Sequence, residues 1–240
     1  SVVLANGATI SGRLFLLAGA RYLVQTDALC LSVAEHEIMS VDGGTEFRKA
    51  AVELPTEVNE ASYLHDVHPD GGGTDCEWSR EVHHGADPRT SMTFVFGRTD
   101  RPLTAEERHE LGLVVDSTRY RDRWGRELPT TIKETDTGWQ FEVQFSAPVM
   151  PGESLEIVRQ ATWRRWSRQE GDEWVRSHFL RPSAGVLVAI VVQLPEGAVY
   201  TSIEPTPLWR LTVNQREQVG WRRYIEPGVA FMPSVRYRLG

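Results

Sequence analysis

Two cysteines, Cys30 and Cys76, are all the thiol this chain has, too few for the disulfide framework that holds small secreted domains together. The pair reads as reduced thiols in a cytoplasmic protein. The opening SVVLANGATISG lacks the basic start and apolar stretch of a signal peptide. Long hydrophobic runs are missing too. The longest, GVLVAIVV from Gly185 to Val192, falls far short of the roughly 20 apolar residues a membrane helix needs. It suits a buried strand, and no membrane insertion is expected. Lysine is nearly absent: Lys49 and Lys133 stand against 24 arginines among the 26 basic residues, the bias of a GC-rich coding sequence. The signatures of familiar chemistry are also missing. There is no H-E-x-x-H, no C-x-x-C, no G-x-S-x-G elbow and no Gly-rich loop followed by lysine. These absences weigh against an enzyme and leave no residue to name as catalytic.

What the chain does have is 240 residues, 40% of them apolar, enough to bury a substantial core. Its net charge of -7 is unevenly placed. Residues 1–120 carry 10 basic and 19 acidic side chains, whereas residues 121–240 carry 16 and 14. The summed field repels phosphate, which disfavours nucleic acid as a partner. A local basic patch in the second half is still allowed.

The pattern predicts an all-β protein with one short helix. Ser1–Leu4, Ala8–Leu16, Arg21–Gln25, Cys30–Val33 and Ile38–Val41 read as short strands, punctuated by Asn6-Gly7, Ala18-Gly19 and Asp27. Further on, Trp139, Phe141, Val143 and Phe145 alternate with Gln140, Glu142, Gln144 and Ser146, the signature of a half-buried strand. Thr104 followed by Glu107 forms a capping box and opens the one helix, LTAEERHELGL. SRQEGDEW reads as a hairpin tip. From this pattern we expect a small N-terminal β-barrel over residues 1–44, a linker over 45–56 with a short helix at Thr45–Val52, and a larger antiparallel β-sandwich over 57–240. The order NGATISGRLFLL, ARYLVQTDALCLSV, HEIMSVDG resembles the small barrels of the SH3-like and Sm-like classes, in which a bent, Gly-bearing second strand leads through a hairpin to a short closing strand. EHEIMSVDG lacks the basic-glycine-polar signature with which the Sm-like class carries RNA, so the resemblance implies a fold and no site residues.

Two segments concentrate chemistry. The first, YLHDVHPDGGGTDCEWSREVHHGAD from Tyr63 to Asp87, holds His65, His68, His83 and His84. A divalent metal could be held between two strands by a histidine from each plus Asp66, Asp75 or Cys76. Strand parity opposes a simple version, because His65 shares a face with Val67 while Asp66 shares one with His68. One histidine of Tyr63–Asp70 must therefore meet one of Glu81–His84 across Gly71–Gly73; otherwise the segment is a polar hairpin. Cys76 as a nucleophile with His83 or His84 as base is a further chemical reading, opposed by Asp75 and Glu77, which raise a thiol pKa. The second segment, RQATWRRWSRQEGDEWVRSHFLRP, sets Trp163, Trp166 and Trp174 among Arg165, Arg168 and Arg176. GWRRYIEPG repeats the chemistry with Trp221 and Arg222. Tryptophan and arginine are enriched at protein–protein hot spots. The leading expectation is a noncatalytic binding or scaffold protein that contacts another protein through these residues. A metal-dependent enzyme or metal-binding protein comes next, and a nucleic-acid-binding module third.

Overall fold

The computed structural model describes residues 1–16, 21–26, 30–41, 59–97, 101–213 and 215–240. The expected linker at 45–56 and its helix lie outside the described residues. The fold is all-β with one α-helix, Ala105–Ser117. The Thr104 hydroxyl accepts from the Glu107 amide at 3.2 Å and the Glu107 carboxylate accepts from the Thr104 amide at 3.0 Å, so the capping box forms as its sequence dictates.

The N-terminal unit consists of two three-stranded antiparallel sheets. One is Thr9–Ile10, Val2–Leu4 and Ile38–Val41; the other is Arg13–Leu16, Arg21–Gln25 and Cys30–Ala34. The sheets enclose Val2, Val24 and Val33, with Leu4, Ile10 and Leu14 packed alongside. The strand expected over Ala8–Leu16 is divided, and its two parts join different sheets. An ion pair at 2.6 Å from Arg123 to Glu37 ties this unit to the rest of the protein.

The larger unit is built on a seven-stranded sheet in the order Arg119–Asp122, Ser154–Trp163, Gly73–Val82, Asn59–Val67, Val186–Gln193, Arg216–Ile225, Trp209–Val213. Every pairing is antiparallel except Asn59–Val67 with Val186–Gln193, which is parallel. That one pair departs from the purely antiparallel sandwich expected. It also explains the unbroken apolar run of Val186–Gln193, which is buried along nearly its whole length.

Two smaller sheets cover the same face of the large one. A four-stranded sheet, Arg168–Glu170, Glu173–Ser177, Ser234–Arg238 and Val199–Glu204, packs through Val235, Tyr237 and Tyr200 onto Tyr63, Val67, Ile190 and Trp221. A three-stranded sheet, Thr130–Thr135, Gly138–Val149 and Arg89–Gly97, packs with the helix through Phe141, Val143 and Val115 onto Ile157 and Tyr120. Each such apolar side chain taken from water stabilises the fold by about 1.5–3 kcal/mol. The inner face of the large sheet therefore carries two apolar cores. Polar residues separate them, and the candidate site is assembled from those residues.

Candidate functional site

The site begins at a turn. His68, Pro69, Asp70 and Gly71 reverse the chain, with the Gly71 amide donating to the His68 carbonyl at 3.1 Å and the His68 amide to that of Gly72 at 3.0 Å. Proline and aspartate favour the turn centre, and Gly71 takes φ +79°, open to glycine at no steric cost. The turn sets the hairpin register, with His65 opposite Asp75 and Tyr63 opposite Glu77. The next strand over adds Arg159 opposite Glu77.

The triple glycine is a seat for tryptophan. A Cβ at Gly71 would come within 2.1 Å of the Trp174 ring, and one at Gly73 within 2.1 Å of the Trp166 ring. The amides of Trp166 and Ser167 both donate to the Gly71 carbonyl, at 3.1 and 2.9 Å. Trp163 and Trp166, which strict strand alternation would send to opposite faces, are stacked with ring planes 9° apart. The strand ends at Trp163 and the chain bends, so parity no longer applies beyond it.

A buried polar chain lies behind these rings. Arg159 donates to Asp75 at 2.7 Å and lies 2.9 Å from Glu77. The other Asp75 oxygen is 3.2 Å from Nδ1 of His65, whose side chain is 0% exposed. His65 Nε2 is 2.9 Å from Nδ1 of His178, which follows the Glu173–Ser177 strand of the covering sheet. His65 also meets the edge of Trp166, and the Arg176 guanidinium lies 4.1 Å from the centre of that ring. Burial would raise the Asp75 carboxyl, but Arg159 and His65 reverse this and hold it well below the usual carboxylate range. Burial would likewise lower Arg159, and Glu77 and Asp75 together hold it above its ordinary value. Tyr63 is pushed well up by burial and by Glu77. Burial, seconded by Arg176, brings His65 down to about 4 even though Asp75 opposes the shift. His178 is depressed well below its ordinary value by burial and by His65.

These directions bear on where the protons sit. Nδ1 of His65 faces the ionised Asp75 at 3.2 Å, which favours a proton on Nδ1; on that assignment His65 Nε2 is the acceptor and His178 Nδ1 the donor. His178 Nε2 is left bare, buried and without a hydrogen-bond partner among the described residues. Two neutral histidines thereby clasp the large sheet to its four-stranded cover.

On the solvent side of Trp166 is a concavity of about 490 Å³. Trp166 and Trp174 line it together with Asp70, Arg165, Ser167, Arg168 and Gln169. Arg165 and the neighbouring Arg164 are exposed and make no ion pair among the described residues. Arg168 is paired with Glu170.

The four histidines expected to hold a metal do not converge. His65 is in the clasp, His68 Nε2 is 3.2 Å from the Thr74 hydroxyl, and the His83 ring donates to the Asp87 carbonyl at 2.7 Å. His84 is exposed. The hairpin register puts the partner of His65 at Asp75, eight positions from His83, which is roughly 26 Å of strand. No cluster of three or more metal-type ligands occurs among the described residues. The Cys76 reading gains no support either: the thiol is buried with Leu64, Trp78, Val158 and Val191 on the opposite face of the sheet from His65, in an apolar setting rather than the electropositive, partly exposed one a reactive thiol needs.

The expected partner-binding residues divide. Trp166, Arg165, Arg168 and Trp174 gather at the concavity, Arg176 stacks behind it, and Trp163 packs on Trp166 and Phe96. Trp221 is a core residue, 4% exposed, whose indole donates to the Pro205 carbonyl at 2.7 Å. Arg222 is on its strand, and neither it nor Trp221 lines the concavity. Sequence reasoning missed His178, Arg159, Tyr63 and Glu77. A signal for the hairpin members was present, because a turn centred on Pro69-Asp70 pairs Tyr63 and His65 with Glu77 and Asp75.

No family model matches the chain, and no curated protein matches it. Among solved structures, it resembles an M1 zinc metallopeptidase from Deinococcus radiodurans at 9% identity and a TM-score of 0.45, over 76% of this chain and 41% of that one. It also resembles a putative protease from Parabacteroides distasonis ATCC 8503 at 12% identity and a TM-score of 0.44, over 75% and 39%. The chain spans about two-fifths of the length of these structures, and the activities in their names are said of those proteins alone.

Proposed function

We propose that this chain is a noncatalytic binding domain that engages another protein through the concavity between the Asp70 turn and the Arg168–Glu170 hairpin. One observation carries the reading: two tryptophan walls and the exposed Arg165, which makes no ion pair among the described residues, meet at one concave place on the surface, with the exposed Arg164 next to Arg165 in the chain. Side chains of this kind, held rigid by the glycine seat, supply contact area at little entropic cost on binding. The buried polar chain behind them acts as support. Its clasp holds Trp166 between His65 and Arg176, which keeps the pocket wall in place before any partner arrives.

We place the domain in the cytoplasm, a reading supported by Cys76, a buried thiol that forms no disulfide among the described residues. The test is association with the natural partner, measured for the parent chain, Arg165→Ala and Trp174→Ala. A loss of about tenfold or more in either variant is expected. Unchanged affinity in both, with folding intact by circular dichroism, would refute the assignment.

A further inference from the structure

We infer that the segment this concavity takes is an extended, acidic peptide, docked as an added strand beside Arg168–Glu170. The inference rests on the protein-binding reading above and names the chemistry of the partner. Three features of the surface point to it.

The first is an open sheet edge. Arg168–Glu170 is the end strand of the four-stranded sheet and pairs on one side only, with Glu173–Ser177, among the described residues. The outer backbone N–H and C=O groups of such a strand are a template for another extended chain, and domains that bind peptides by strand addition use this geometry. The edge also supplies part of the concavity wall through Arg168 and Gln169, so a peptide paired there passes over the pocket.

The second is charge. Arg164 and Arg165 are adjacent, exposed and without an ion pair among the described residues, whereas Arg168 is paired with Glu170 and Arg236 with both Glu170 and Glu173. The unsatisfied positive charge is thus at the entrance to the hairpin. A guanidinium takes a carboxylate in a two-pronged hydrogen bond. Asp70, which also lines the concavity, repels a carboxylate, so the peptide's acid is drawn to Arg165 instead.

The third is the pair of rings. Side chains alternate along an added strand, so a residue next to the acid but one points the same way. An apolar or aromatic side chain there would fall between Trp166 and Trp174. Polyphosphate ligands fit less well, because they offer neither an apolar side chain for the paired rings nor a backbone for the open strand edge.

A phage-displayed library of random nonapeptides, selected on the full chain and on the Arg164→Glu/Arg165→Glu variant, tests the proposal. The substituted positions are exposed, so folding is not at issue. Selection on the parent is expected to enrich Asp or Glu alternating with apolar residues, and the best peptide should bind the variant about tenfold more weakly or worse. Methylating alternate backbone nitrogens of that peptide should abolish binding. Recovery of neutral or basic peptides, no recovery, equal binding by the variant, or indifference to N-methylation would each overturn the inference, as would tighter binding of short oligothymidylate at physiological salt. Should the same variant lose its natural partner while selection fails, the binding reading stands and only the peptide chemistry falls.

Discussion

Acid is the perturbation to which this fold is built to respond through His65. The ring is wholly buried, with Nδ1 3.2 Å from an Asp75 oxygen and Nε2 2.9 Å from Nδ1 of His178, so adding a charge to it without water is costly. Its pKa falls from 6.5 to about 4 on folding, a drop equivalent to roughly 3 kcal/mol at 1.36 kcal/mol for each tenfold step. Between those two pH values the unfolded chain binds a proton at His65 that the folded chain does not, so stability falls as the pH falls through this window. Below about 4 the His65 contribution stops growing. Asp75 takes over there, because its folded pKa is lower than its unfolded one and the unfolded carboxylate protonates first. Urea unfolding of the parent and of His65→Gln at intervals from pH 7 to 4 measures the effect. The variant should be less stable at pH 7, because it loses the clasp, and should lose about 3 kcal/mol less than the parent on acidification. Parallel stability curves for the two proteins would refute this account of the cluster.

Three further outcomes follow from the same geometry. Gly73→Ala places a Cβ 2.1 Å from the Trp166 ring and should cost about 1–3 kcal/mol by overpacking; in thermal unfolding it should melt well below Gly112→Ala in the helix, whose Cβ makes only ordinary contacts with Trp139 at 3.7 Å or more. Arg159→Met removes the cation that Asp75 and Glu77 share, and a loss of about 3–5 kcal/mol in urea unfolding is expected from leaving buried carboxylates uncompensated. Thr104→Ala deletes the helix cap and should cost about 1 kcal/mol by the same measurement.

Much of the fold was legible in the sequence because strands declare themselves by alternation. Trp139, Phe141 and Val143 fall on the buried face as their spacing required, and the capping box at Thr104 starts the helix where expected. Parity also set His65 apart from His68, and the two reach different partners, His178 and Thr74. It failed where strands end. Trp163 and Trp166 meet because a bend intervenes, and nothing local in the sequence marks that bend as tighter than others. The key partner of His65, His178, is 113 residues away on a different sheet; such a contact depends on how sheets stack, which no short-range pattern encodes. Trp221 looked like a surface anchor because its neighbours Arg222 and Arg223 are charged, but it belongs to the buried middle of its strand, with Gln218, Val219 and Gly220. The triple glycine was legible as the crossing of a hairpin, but its second role was not, since its missing side chains make room for two indoles.

The chain's eight tryptophans allow its binding site to be read directly. With the indole nitrogens labelled, a proton–nitrogen correlation spectrum can be followed as the natural partner, or the peptide selected on the parent chain, is added. The account predicts that the Trp174 and Trp166 signals move together and saturate at the binding stoichiometry, while those of core Trp78 and distant, exposed Trp124 stay in place. Saturable movement at Trp124 or elsewhere, with Trp166 and Trp174 unchanged, would contradict the claim that the arginine–tryptophan concavity is the site.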